Sequence, residues 1–297
     1  MEMLEEKGWT GGSGPPPRHA PGHRLRCVTM SSTHTGADAP AAPIAFRQLL
    51  PVPGGADADL AHAYAYPADL DRPWVRANMV ASADGGAVGP SGRSRDLSSA
   101  PDRRIMGALR ALCDVVLVGA ATARVEGYGP VRVRRAWEGL REGRTRAPAV
   151  AVVSRSLDLP ADLLTEAPPD ARTLVFTTDG APARRRREVA ERADLVVVEG
   201  ASVTPAHVVE ALAERGLHRV LTEGGPHLLA EFVAAGLLDE LCLTLSPHLL
   251  GSGPPRIVAG GPGAPGAPEH ASARSTPVRM AHLLEAEGSL FARYVRG

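Results

Sequence analysis

From Trp74 onward, short apolar runs alternate with helix-like segments, and this alternation limits the fold more than any other feature of the 297-residue chain. Asp114-Val115-Val116-Leu117-Val118 is a continuous apolar run, the pattern of a strand buried on both faces, and it leads into Gly119-Ala120-Ala121-Thr122. Further strands are predicted at 74–80, 149–153, 173–176, 195–198, 218–222 and 241–245. Between them, helices are predicted from Ser98 (as N-cap) to Leu112, from Ala183 to Arg192, from Thr204 (as N-cap) to Glu214, and from Pro226 to Ala235. Gly216 and Gly236 supply the stops for the last two. Residues 280–284 and 290–295 flank a Glu287-Gly288 turn as a closing hairpin. The pattern predicts an α/β fold with a mixed sheet, helices on both faces and antiparallel strands at the C-terminal edge. Residues 1–43, rich in Gly, Pro, Ser, Thr and His, are expected to be a disordered leader, and 44–297 a single domain. The Gly/Pro/Ala-rich stretch from Gly260 to Pro277 is expected to be a surface loop.

Charge and residue usage exclude several chemistries. Arg plus Lys equals Asp plus Glu at 33 each, which offers nucleic acid or an anionic membrane no electrostatic footing. The single lysine, Lys7, lies in the leader. The folded part therefore cannot form a lysine Schiff base or supply a Walker A lysine, and every basic contact falls to Arg. Cys27, Cys113 and Cys242 show no metal-ligand or disulfide spacing, which fits a reducing cytoplasm. No apolar run reaches the roughly 20 residues of a membrane span. The histidines are scattered without metal spacing, so no metal is expected.

The strongest local signal is strand, then Glu223-Gly224-Gly225-Pro226, then helix. Glycines admit a ligand close to the backbone, a helix N-terminus offers free N–H groups to an anion, and Pro at the first turn loses no needed donor. The same glycines would also serve a plain strand-to-helix link. The Gly119–Thr122 junction is a second such turn, and open α/β sheets bind ligands along the carboxyl ends of their strands. Neither turn is a full GxGxxG, so a standard Rossmann fold is not expected. Ser154-Arg155, at a third strand end, could grip a phosphate.

Taken in order, these stretches resemble a family. The set is Ser82-x-Asp84-Gly85, a helix ending Leu109-Arg110-Ala111, Gly119-x-x-Thr122, Glu223-Gly224-Gly225-Pro226 and Pro247-x-Leu249-Leu250-Gly251. It resembles the pyrimidine reductases of riboflavin biosynthesis over about residues 72–297. The resemblance implies a dihydrofolate-reductase-like, mostly parallel sheet, a homodimer, and NADPH-dependent reduction of a small molecule, a ribosylaminopyrimidine 5′-phosphate. By position it implies cofactor contacts at Val80, Asp96, Gly119, Thr122, Glu126, Ser154, Arg155, Gly224, Gly225, Pro226, His227 and Leu228. It implies substrate contacts at Asn78, Ser94, Arg110, Arg132 (or Arg134) and Glu223, with Glu223 and Asp84 as catalytic candidates. Hydride chemistry belongs to the nicotinamide, so the protein's part is positioning and charge. The His-x-Glu and Pro-Cys-x-x-Cys pair of a zinc deaminase does not occur, so no deamination is expected. Departures from the family pattern at Asn78, Asp96 and Glu126-Gly127-Tyr128 touch substrate contacts. A pteridine or dihydrofolate reductase and a non-catalytic NADP(H)-binding paralogue therefore stand as alternatives.

Overall fold

The computed structural model describes residues 45–50, 58–260 and 275–297; the expected leader and most of the expected 260–277 loop lie outside them. The strands are β1 (Arg47–Leu50), β2 (Trp74–Ser82), β3 (Val115–Gly119), β4 (Ala149–Val153), β5 (Leu174–Thr178), β6 (Asp194–Val198), β7 (Arg219–Thr222), β8 (Glu240–Ser246), β9 (Val278–Ala286) and β10 (Ser289–Arg296). The helices are α1 (Leu60–Ala63), α2 (Ala100–Leu112), α3 (Ala120–Glu126), α4 (Ala161–Thr165), α5 (Ala183–Ala190), α6 (Pro205–Ala213) and α7 (Pro226–Ala234). The strands form one sheet in the order β1-β9-β10-β8-β2-β7-β3-β4-β5-β6. From β8 to β6 every pairing is parallel. Beyond β8 the pairings with β10, β9 and β1 are antiparallel. The sheet is thus mixed and mostly parallel, as expected.

Period-two alternation divides the core. On β3, Val116 and Val118 join Leu109 of α2, Leu221 and Phe291 on one face. Val115 and Leu117 join Val220, Leu212 of α6, and Leu228 and Phe232 of α7 on the other. Helix starts follow side-chain chemistry. Thr204 Oγ1 caps α6 through His207 N, whereas α2 is capped by Ser99, not by the expected Ser98: Ser99 Oγ accepts from Asp102 N at 3.3 Å. Ser98 Oγ instead donates to the Asp102 carboxylate at 2.5 Å. Gly216 and Gly236 end α6 and α7 with φ of 68° each. Glu287 and Gly288 both take positive φ, the geometry of a two-residue hairpin turn between β9 and β10.

At the amino ends of the central strands a buried ionic clamp ties the halves together. Arg76 (β2) is fully buried, lies 2.6 Å from Glu240 (β8), and sits 3.9 Å below the Tyr66 ring. Arg293 (β10) donates to the same carboxylate at 2.8 Å. Burial would raise the Glu240 carboxyl, but the two guanidinium groups hold it below the usual range. Beside the clamp, His282 stacks edge-on against Tyr64 at 4.8 Å. Burial and the Arg293 charge push its imidazole down to about 4.

Candidate active site

A cavity of about 390 Å³ opens beside β2 and the end of β7, walled by α2 and by the turn that follows α3. Asn78 and Val80 reach it because β2 runs along its floor, and Glu223 because it is the first residue past β7. Helix α2 contributes Asp102, Arg103, Met106 and Arg110, spaced so that they share one stripe of the helix.

Glu223 is the most tightly held group. Arg110 Nε and Nη2 donate to its two oxygens at 2.7 and 2.6 Å, a bidentate pair, and Tyr128 Oη donates to Oε2 at 2.5 Å. Arg110 also lies 5.7 Å from the Tyr128 ring centre. Burial alone would raise the Glu223 carboxyl; Arg110, with its hydrogen bonds and that of Tyr128, holds it below the ordinary value. Glu223 is therefore a fixed anion. Asp102 is the opposite case. It is buried, accepts from Ser98 Oγ at 2.5 Å and Thr244 Oγ1 at 2.7 Å, and burial raises its carboxyl above the usual range despite those bonds. The cavity thus holds two acids whose environments push them apart, one tied to a guanidinium and the other biased toward its protonated form.

Behind Glu223 the two glycine junctions meet. Gly119 N donates to Gly224 O at 2.9 Å. A Cβ on Gly225 would fall 2.2 Å from Thr122 Oγ1, so only glycine lets the turns pack this closely. The Gly224–Gly225 peptide is cis, and Gly224 takes a φ of 85°. No side chain caps α7 at Gly225, and Pro226 occupies its first turn. Leu228 turns into the core, and Ala259 N donates to Pro226 O at 3.3 Å, bringing the 259–260 segment over His227.

The RibD C-terminal domain matches residues 73–279. The chain belongs to this family. A 2,5-diamino-6-ribosylamino-4(3H)-pyrimidinone 5′-phosphate reductase of Archaeoglobus fulgidus is 30% identical over 187 residues, 61% of this chain and 83% of that protein. The riboflavin biosynthesis protein RibD of Bacillus amyloliquefaciens is 29% identical over 182 residues, 60% of this chain and 47% of that one. Among solved structures, a pyrimidine reductase-like protein from Corynebacterium diphtheriae superposes with a TM-score of 0.68 at 25% identity, covering 80% of this chain and 97% of that one. The relatives are named as riboflavin-biosynthesis pyrimidine reductases, which supports an oxidoreductase role for this chain.

The expected site residues divide into three groups. Asn78, Val80, Ser94, Arg110, Glu126 and Glu223 line the cavity, with Glu126 Oε1 accepting from Ser94 N at 2.7 Å. Gly119, Thr122, Gly224, Gly225, Pro226 and His227 gather at the paired turns. The others stand apart from the cavity wall. Asp84 is exposed and its carboxylate is committed to Ser82 Oγ and to the Leu250 and Gly251 N–H groups, which makes it a clip for the Pro247–Gly251 loop. Asp96 accepts from Ser91 N and packs against Gly89. Arg132 is 87% exposed, 3.5 Å from Glu166. Ser154 is buried with Oγ accepting from Leu157 N, which leaves the exposed Arg155 as the outward-facing member of that pair. Tyr128, one of the expected departures at substrate contacts, lines the cavity, whereas sequence reasoning missed Asp102, Arg95 and Arg103 as cavity residues. The i, i+3, i+7 spacing of Arg103, Met106 and Arg110 was the available signal for α2; nothing local marked Arg95.

Proposed function

We propose that this protein reduces a ribosylaminopyrimidine 5′-phosphate with NADPH, delivering hydride to C1′ of the sugar to give the ribitylamino product. The observation that carries the reading is the position of one turn. Glu223 faces the cavity, and the next two residues form the glycine junction at the start of α7. Substrate and cofactor would therefore meet across four residues.

The residues fit a dinucleotide phosphate. The uncapped start of α7 offers N–H groups at a helix N-terminus, and the glycines at 119, 224 and 225 let the β3 and β7 turns pack together beside it. Gly119, Thr122 and Gly224 through Leu228 would hold the diphosphate, and Arg155 the 2′-phosphate. When bound, the nicotinamide supplies the hydride. The chain's part is to position and to manage charge. Glu223, locked by Arg110 and Tyr128, would stabilise the cationic C1′–N unit that accepts the hydride. Asp102, biased toward its protonated form, would hold the proton that the sugar oxygen needs as the ring opens. Asn78 and Ser94 would orient the pyrimidine. The test is a direct assay of NADPH oxidation with that substrate. Turnover on a dihydropterin or dihydrofolate instead would replace the reading, as would NADPH binding with no turnover on any of these.

The protein is further proposed to work as a homodimer. The face of β1, β9, β10 and β8 opposite α2 carries Leu241, Leu243, Leu245, Leu290 and Leu283, none of which joins the buried clusters of the described residues. Leu50, Val278 and Met280 on the same face are 43%, 48% and 36% exposed. An antiparallel sheet with one wet face would normally alternate to polar residues there, and an apolar face asks for a partner. Light scattering on a size-exclusion column should give a dimer, and Leu243→Glu should give monomers; a wild-type monomer would refute it.

A further inference from the structure

The connection leaving β8 begins with a segment, residues 247–260, that has neither helix nor strand and no buried residue. Hydrogen bonds rather than core packing hold it in place. Its near end lies on the turn that follows β2, where Ala83 N donates to His248 O at 2.9 Å and Ala87 N to Pro255 O at 2.8 Å. Between these two anchors stands Asp84. Its Oδ2 accepts from Leu250 N at 2.9 Å and from Gly251 N at 2.7 Å, and its Oδ1 from Ser82 Oγ at 2.5 Å. Those bonds, that of Ser82 first, hold the carboxyl below the ordinary range, so the clip is an anion at neutral pH. Gly251 takes a φ of 74°, which lets two successive N–H groups converge on one oxygen.

The far end lies on the start of α7. Ala259 N donates to Pro226 O at 3.3 Å, and the Gly260 backbone presses so close to the His227 ring that a Cβ there would fall 2.4 Å from Nδ1. Pro226 and His227 are the first two residues of α7, a helix start that no side chain caps. One exposed strap therefore connects the turn carrying Ala87, which lines the cavity, with that helix N-terminus. Segments fastened by a few exposed hydrogen bonds open locally at far lower cost than the core does. Releasing the charge-assisted clip at one end frees the strap to leave α7 at the other.

We propose that Asp84 is a positioning residue for the cofactor: by clipping Leu250 and Gly251 to the turn after β2, it keeps the 247–260 strap on the first turn of α7 and slows escape of the dinucleotide phosphate held there. The proposal rests on the NADPH reading for the identity of that ligand. It asks no proton transfer of Asp84, whose carboxylate is spent on the clip.

The test combines NADPH titration by fluorescence with amide hydrogen exchange, both on the full-length protein. Asp84→Ala should weaken NADPH binding about 10-fold, chiefly through a faster off-rate, and should speed exchange in peptides from residues 247–260. Asp84→Asn keeps an acceptor oxygen for the two N–H groups and should restore most of the affinity and the slow exchange. Ala259→Pro removes the N–H at the far end and should also weaken NADPH binding. The Asp84→Ala/Ala259→Pro double variant should bind no worse than the weaker single variant, because both substitutions release the same strap. The proposal is overturned if Asp84→Ala leaves exchange in 247–260 unchanged, or if the two substitutions act additively on NADPH affinity. Wild type that fails to bind NADPH would reject the cofactor reading and the proposal with it, whereas wild-type binding that Asp84→Ala leaves unchanged would reject the proposal alone.

Discussion

Substituting Gly225 by alanine isolates the packing on which the paired turns depend. The backbone there has φ −66° and ψ −176°, an extended conformation open to any residue, so alanine adds no dihedral penalty. What it adds is one methyl group 2.2 Å from Thr122 Oγ1 and 3.6 Å from Thr122 Cβ. The first distance is more than 1 Å inside an ordinary contact, whereas the second is ordinary. All of the clash therefore lies in the hydroxyl. Overpacking of this size costs about 1–3 kcal/mol. Thr122→Ala removes the hydroxyl and keeps the Cβ, so the double variant should recover most of that loss. Thr122→Ser, which keeps the hydroxyl, should recover far less. Urea denaturation of wild type, both single variants and the double gives the coupling energy directly. Additive effects, or equal rescue by serine and alanine, would refute the reasoning.

Two further predictions concern buried ionisable groups. Glu223→Gln leaves the Arg110 guanidinium without its anion, and because the Arg110 side chain keeps 26% exposure the loss should be about 2–3 kcal/mol, below that of a fully buried pair. Glu223 has a depressed folded-state pKa, so its stabilisation is present above the unfolded value near 4.5 and fades as pH falls through the folded one; the gap between variant and wild type should narrow below pH 4.5. For His282 the folded imidazole stays neutral down to about 4 against an ordinary 6.5, so the unfolded chain binds the extra proton in that window. Stability should fall by about 3 kcal/mol as pH drops from 6.5 to 4, at ~1.4 kcal/mol per pH unit, and His282→Phe should remove that slope; an unchanged slope in chemical denaturation would contradict it.

Legibility followed the range of the physics. Strands buried on both faces, such as 115–119 and 149–153, declare themselves as apolar runs, and Thr204, Gly216 and Gly236 mark helix ends through purely local chemistry. The edge strand Arg47–Leu50 was not foreseen, because four residues with an exposed, half-buried, half-buried, exposed pattern carry no period and are defined by pairing to β9, more than 230 residues away. In the site, glycines at strand ends were readable because backbone approach requires them. The partnership of Arg110 with Glu223 spans 113 residues, and that of Asp102 with Thr244 spans 142. From the sequence Asp102 reads only as a first-turn carboxylate favoured by the helix dipole. Its burial, and hence the raised carboxyl, belong to the folded state alone. Asp84 illustrates the converse: its place in a recognisable motif suggested chemistry, and its hydrogen bonds show loop fastening.

If one turn joins the substrate-facing carboxylate of Glu223 to a cofactor site, the most direct measurement is NADPH consumption by the purified protein with the ribosylaminopyrimidine 5′-phosphate. The account predicts turnover with that substrate and little with dihydrofolate. It further predicts a fall in kcat of about 10²–10⁴ for Asp102→Asn with the alkaline limb of the pH profile lost. Absence of turnover, or an Asp102→Asn enzyme with wild-type kcat and pH profile, would contradict it.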